Sequence, residues 1–332
     1  MIIKDCRQSG WVCLLNIRQP MAMDRHIYGG IMDLRTIDID LISNTHLLSK
    51  QPNRLGWLTP SDPSRSKKEL WEQFQEQGYL WLKGLLDREA VFDFRRRFFR
   101  AFSAVNLILP GSDPVDGIYS GEEDKGAAHR MVAEAVRWAS YENFCLSAPI
   151  WQFYEEVFGE PVLLHKRKIL RYTKVGDLSC TGAHYDLTYL RAGTDRVYTN
   201  WIPIGDVPVE MGGLVYLEGS HAWGRKMEAE FSAFNASLPP EERINAYNRN
   251  MSETGWITKD LPSLSERLDA RWLMADYEAG DVVFHSAYQI HASTENKDSR
   301  RRVRLSTDIR YQRISDQVDA RWNNDWAPAD GL

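Results

Sequence analysis

At Pro161 the chain changes texture. Before it, apolar residues recur at three- and four-residue steps. After it, short runs rich in β-branched and aromatic residues alternate with turn residues. These runs read as strands near 162–173, 181–190, 196–204, 213–218, 271–276, 281–286, 288–293 and 302–311. Short strands in this number behind a helical half predict a mainly β fold with a helical buttress, a double-sheet jelly roll. The last run sharpens the expectation. Arg302, Arg304, Ser306, Asp308 and Arg310 fall on one face, and Val303, Leu305 and Ile309 on the other. A strand that is polar inward and apolar outward suits a barrel with a wet interior and helices packed outside.

The first half supplies those helices. Residues 67–77 read as a short helix and 78–84 as a strand bounded by glycines. Asp87 can cap a helix carrying Val91, Phe94, Phe98, Phe102, Val105 and Ile108 on one face. A polar loop over 111–126 precedes a helical stretch at 127–140. A further helix has Pro149 in its first turn and ends at Gly159 before Pro161. The expected organisation is a poorly defined N-terminal extension over 1–66, in which Met32 is an alternative start, and one domain over 67–312. That domain has a helical half (67–160) and a jelly-roll core (161–312), with an insertion at 222–270 that is a lid or surface decoration. A tail follows over 313–332.

The 332 residues can bury a sizeable core without disulfide or structural metal. A net charge of -5, with no basic run beyond Arg300, Arg301 and Arg302, argues against nucleic acid as a partner. Cys6, Cys13, Cys145 and Cys180 are scattered, as reduced thiols in the cytoplasm would be. No stretch approaches the roughly 20 apolar residues of a membrane span, so no membrane partner is expected. The sequence carries no sign of an oligomeric state.

Chemistry enters at His184-x-Asp186. On a strand, residues two apart point the same way, which sets an imidazole beside a carboxylate. His291 offers a third ligand from a distant run. Two histidines and one carboxylate leave metal positions open, the pattern of non-haem Fe(II) oxygenases. Zinc accepts the same donors, so a zinc hydrolase is one alternative; a non-catalytic binding protein is another. The arginines of the last strand favour the first reading, because a guanidinium grips a carboxylate through paired charge-assisted hydrogen bonds.

Several further segments join these. They are Asp186-Leu-x-Tyr189, Asn200-Trp201-Ile-Pro-Ile, the run from Gly212-Gly-Leu to Gly-Ser-His221, Gly280-Asp-Val-Val-Phe284, and His291-x-Ser293-x-x-Asn296 with Arg302 eleven residues after the histidine. With them the chain resembles the phytanoyl-CoA dioxygenase family of Fe(II)/2-oxoglutarate-dependent oxygenases, over roughly residues 70–312 and most sharply from 162. The resemblance implies a cupin-like jelly roll, with His184, Asp186 and His291 as the catalytic iron ligands. It also implies that Arg302 holds the distal carboxylate of the co-substrate 2-oxoglutarate, with Ser293 and Trp201 supporting it. Arg304, facing the same way, is the rival for that role, and Lys168 a loosely aligned helper. His165, His221 and His285 are read as structural. The family's halogenases lack the carboxylate ligand; Asp186 therefore favours C–H hydroxylation or a related oxidation of a small-molecule substrate by O2, releasing succinate and CO2. Tyr154, Trp223, Trp256 and Trp272 could shape an apolar substrate pocket, although large aromatics more often belong to cores.

Overall fold

The computed structural model describes residues 38–243 and 255–327. Met32, most of the expected extension, part of the insertion and the last residues of the tail lie outside them. Strands β1 (Ile42–Ser43) and β2 (His46–Leu47) form a small hairpin, and β3 (Leu55–Trp57) follows. Helix α1 (Lys67–Gln77) starts at a capping box in which Ser66 receives the Glu69 N–H and Glu69 answers to Ser66. It stops at Gly78, whose φ of 81° a side chain would strain. Strand β4 (Tyr79–Leu82) leads to α2 (Arg88–Phe102), capped by Asp87. The stretch expected as one helix over 127–140 is two, α3 (Lys125–Ala135) and α4 (Ala139–Cys145), because Trp138 is extended and turns the chain. Helix α5 (Ala148–Phe158) ends at Gly159 as its sequence predicts.

The remaining elements are β5 (Val162–Leu164), β6 (Ile169–Thr173), α6 (Leu187–Leu190), β7 (Val197–Pro203), β8 (Leu214–Leu217), α7 (Ser220–Phe234), α8 (Leu261–Leu268), β9 (Trp272–Met274), β10 (Val282–Ser286), β11 (His291–Ser293) and β12 (Arg304–Arg313). They make a jelly roll. The large sheet runs β4-β10-β7-β12-β5, with β6 also on β12, and the small one runs β11-β8-β9-β3. Outward side chains of the large sheet, among them Ile202, Phe284, Leu305 and Ile309, pack under α1 to α5 and form the main apolar core. A second cluster backs the small sheet around Val215, Trp272 and Ala292, and a third fills the space between the sheets around Trp81, Tyr216 and Tyr277.

Several expectations change in detail. Helix exceeds strand by residue count, so "mainly β" describes the core and not the chain. The run 181–190 is no continuous strand: Ala183 and His184 make isolated bridges, and the chain then coils into α6. The last strand starts at Arg304, because Arg301 has a φ of 59° and breaks the extended run behind it. Residues ahead of 67 are not all peripheral, since β3 lies parallel to β9 and extends the small sheet. The tail contributes Trp322, 2 % exposed.

Candidate active site

Backbone pairing brings the three expected ligands together. His184 and His291 exchange N–H to carbonyl bonds at 3.1 and 3.0 Å, so the segment ahead of α6 docks on β11 although no full strand forms. The His184 and His291 ring nitrogens and an Asp186 oxygen lie within 4.8 Å of one another, all buried. Each imidazole sets its Nδ1 against a backbone carbonyl two residues earlier, Gly182 at 2.9 Å and Gln289 at 3.0 Å. A carbonyl can only accept, so the proton sits on Nδ1 and the Nε2 lone pair faces inward. Both Nε2 atoms point to one carboxylate oxygen, Asp186 Oδ1, at 3.6 and 3.8 Å. Those separations are too long for hydrogen bonds and leave room between the atoms. The donor set fits a divalent ion with open positions.

The other carboxylate oxygen is held by the protein. Asp186 Oδ2 accepts from Thr199 Oγ1 and from Arg310 Nη2 at 3.1 Å, and His285 Nε2 stands 3.4 Å away. Burial would raise the Asp186 pKa, but Arg310 and the surrounding imidazoles outweigh it and hold the group well below the usual carboxylate range. His291 is driven well below the ordinary imidazole value by burial, with repulsion from His184 and His285 added. Asp186 is therefore held as a carboxylate and His291 as a neutral imidazole, the protonation states that metal binding requires.

A cavity of about 790 Å3 opens from the triad. At one end Arg304, Ser306, Ser293, Leu214 and Trp201 line it. Arg304 is 3 % exposed; its Nη1 donates to the Gly212 carbonyl while its Nε meets no acceptor, and Ser306 Oγ is likewise unpartnered. Burial lowers the Arg304 pKa to about 10, which still leaves it charged at neutral pH. Gly212 is needed here: its φ is 72°, and a Cβ would come within 2.4 Å of the Thr294 carbonyl. The glycine-rich turn thus brings a carbonyl down to orient the arginine.

Arg302 does not join this cavity. It lies ahead of β12, bridged to Ile118, and its guanidinium is engaged by Asp298 at 2.6 and 3.1 Å. Lys168 is also turned away, against Glu142 at 2.6 Å and the Lys166 carbonyl. Ser293 lines the cavity, and its hydroxyl accepts the Thr181 N–H at 3.0 Å. Trp201 is 1 % exposed and packs edge-on to Tyr277 at 4.6 Å. Of the remaining histidines, His165 meets Gln312 and His221 meets Ser286. Tyr154 and Trp272 are core, whereas Trp256 lines the cavity. Sequence reading put Arg310 on the inward face and took His285 as structural without placing either at the metal triad, and it did not single out Thr199 or Trp322. Thr199 shares a face with Trp201 two residues on, a signal that was available. Nothing local marks Trp322.

Residues 74–303 match the phytanoyl-CoA dioxygenase family. The chain belongs to that family. Its curated relatives include the 1-deoxypentalenic acid 11-beta-hydroxylase of Streptomyces arenae, 27 % identical over 262 residues, spanning 76 % of this chain and 84 % of that protein. The enzyme of the same name from Streptomyces exfoliatus is 26 % identical over 262 residues, with the same coverage. Among solved structures, the epimerase SnoN in complex with Fe3+, alpha ketoglutarate and nogalamycin RO superposes with a TM-score of 0.51 at 19 % identity, covering 82 % of this chain and 93 % of that one, which speaks for the fold. As a phytanoyl-CoA dioxygenase family member with hydroxylase relatives and an intact His-Asp-His triad, this chain is an Fe(II)/2-oxoglutarate-dependent dioxygenase. Membership decides against the zinc hydrolase. No helix among the described residues is long and apolar enough to cross a membrane.

Proposed function

We propose that His184, Asp186 and His291 hold the iron, that Arg304 in place of Arg302 receives the distal carboxylate of 2-oxoglutarate, and that the enzyme hydroxylates a C–H bond of a small, largely apolar organic molecule. The observation that carries the co-substrate assignment is the buried guanidinium of Arg304, which faces the cavity with an unpartnered N–H while Arg302 is engaged by Asp298. Ser306 and Ser293 lie beside it with hydroxyls, and Trp201 closes that end with an apolar wall. A buried arginine with a donor left over favours a carboxylate ligand strongly, because the unmade bond is costly.

When bound, iron and 2-oxoglutarate use O2 to oxidise the substrate C–H bond and release succinate and CO2. The chain's own part is to bind, orient and exclude water. Gly182 and Gln289 fix the imidazole tautomers, Thr199 and Arg310 fix the carboxylate, and Trp201 and Leu214 keep the co-substrate end dry. Ile169, Tyr189 and Trp256 line the wider part of the cavity and suit an apolar substrate. The names of the Streptomyces relatives, hydroxylases of 1-deoxypentalenic acid, support hydroxylation over halogenation, as does the carboxylate of Asp186. The buried free thiols of Cys145 and Cys180 support a cytoplasmic enzyme.

The test is the visible charge-transfer band of the anaerobic Fe(II)-2-oxoglutarate complex. Wild type and Arg302→Ala should both form it at low 2-oxoglutarate. Arg304→Ala should need at least about tenfold more co-substrate, the scale of one lost charge-assisted bond. A band that is weakened by Arg302→Ala and indifferent to Arg304→Ala returns the role to Arg302.

A further inference from the structure

Arg310 lies in the cavity wall beyond Asp186, 3 % exposed. Its Nη2 bonds Asp186 Oδ2 at 3.1 Å, and that carboxylate is its one ion-pair partner among the described residues. Its Nε and Nη1 are buried and meet no acceptor. The guanidinium lies over the ring of Trp322, with Cζ 4.4 Å from the centroid, and Arg167 lies over the same ring at 5.3 Å. Stacking on an aromatic face fixes the guanidinium plane and leaves its in-plane donors to be used by something else.

Charge sharpens the point. In the reading above Asp186 is shared with a divalent ion, so Arg310 then becomes a buried cation with no anion of its own, a state proteins avoid. The other carboxylates around the cavity are committed elsewhere: Asp308 faces Arg171 at 3.6 Å, Glu295 faces Lys297 at 3.9 Å, and Glu123 and Asp177 meet Lys174 at 2.9 and 3.0 Å. Arg304, at the co-substrate end, is already assigned.

We propose that Arg310 is the anion-binding subsite for the substrate: the substrate is an organic acid whose carboxylate docks end-on at the Nη1 donor beside Asp186. The inference rests on the oxygenase reading and specifies its substrate class. Anchoring the acid next to a metal ligand sets the oxidised carbon a short distance from the carboxylate. Trp322, from the segment after the jelly roll, is a positioning residue that holds the arginine's plane.

The Fe(II)-2-oxoglutarate band is recorded first, since its absence in wild type sinks the oxygenase reading alone. The full chain is then loaded with Ni(II) and saturating 2-oxoglutarate and titrated calorimetrically at constant ionic strength. The probes are acetate and benzoate, each against its neutral amide; the same titration on metal-free protein keeps the subsite measurable if the band fails. Wild type should bind the acids at least tenfold more tightly than the amides. Arg310→Gln should lose the preference, and Trp322→Leu, which leaves the Asp186 partner in place, should weaken it while 2-oxoglutarate affinity stays within a few-fold. Equal binding of acid and amide overturns the proposal. So does acid binding that survives Arg310→Gln but is lost in Arg304→Gln, which would put the probe in the co-substrate pocket. A parallel fall of 2-oxoglutarate and acid affinity in Trp322→Leu also overturns it, because Arg310 would then serve the co-substrate.

Discussion

Each member of the metal triad depends on a neighbour that fixes it. His184 and His291 are oriented by backbone carbonyls, which no substitution removes; Asp186 is oriented by side chains, which substitutions can. Asp186→Ala should abolish turnover and Fe(II) binding while the circular dichroism spectrum is kept, and retained turnover would contradict the ligand assignment. Thr199→Val should be milder, lowering metal affinity by about 10–100-fold, the usual cost of losing an outer partner; equilibrium titration with Fe(II) or Ni(II) measures it. Two other histidines bear on stability. Burial, offset in part by the bond to Gln312, lowers the His165 pKa to about 4, and burial with repulsion from Arg225 does the same for His221. Unfolding lets both take protons below their ordinary value of 6.5, so their contribution is intact above that pH and is lost as pH falls toward 4. The melting temperature should therefore drop across that window, and the drop should be shallower in His165→Gln.

Among the elements, helix ends and one glycine turn set the frame around the site. Asp87 accepts the Glu89 N–H at the start of α2, whose Val91, Phe94 and Phe98 cover the outer face of the large sheet. Asp87→Ala should cost about 1 kcal/mol in denaturant unfolding without changing the co-substrate constant. Gly212→Ala should act differently. Its positive φ and the Thr294 carbonyl leave no place for a Cβ, and the carbonyl it presents to Arg304 would move. Loss of 2-oxoglutarate affinity beyond the loss of stability is the expected signature. The stretch 181–190 shows where periodicity misleads: a two-residue alternation put His184 and Asp186 on one side, as they are, yet Asp186 sits at the entry to α6 and not on a strand. The ligands converge because His184 pairs with His291 across the sheet edge.

In the whole molecule, the site is completed by segments far apart in the chain. Arg310 is on the last strand, Asp186 lies ahead of α6, and Trp322 comes from beyond the jelly roll. Trp322→Ala removes a buried indole that backs Arg310 and donates to the Tyr189 carbonyl at 3.1 Å. A loss of about 3–5 kcal/mol is expected from the cavity it leaves, and a stability unchanged in thermal and urea unfolding would show the tail to be dispensable. The residue pattern alone determined the jelly roll behind helices, the cap of α2, the two ends of α5, and the triad. Those depend on short-range periodicity, capping chemistry and donor type, all of which are local. Which arginine lines the cavity was decided only by tertiary structure. Arg302 and Arg304 have the same parity, and the sequence cannot separate them. The left-handed turn at Arg301 and the carboxylate of Asp298 take one out of the barrel, and the Gly212 carbonyl holds the other in it. The roles of Arg310, His285 and Trp322 are likewise matters of contact between distant segments, and contact at that range leaves no periodic trace in the chain.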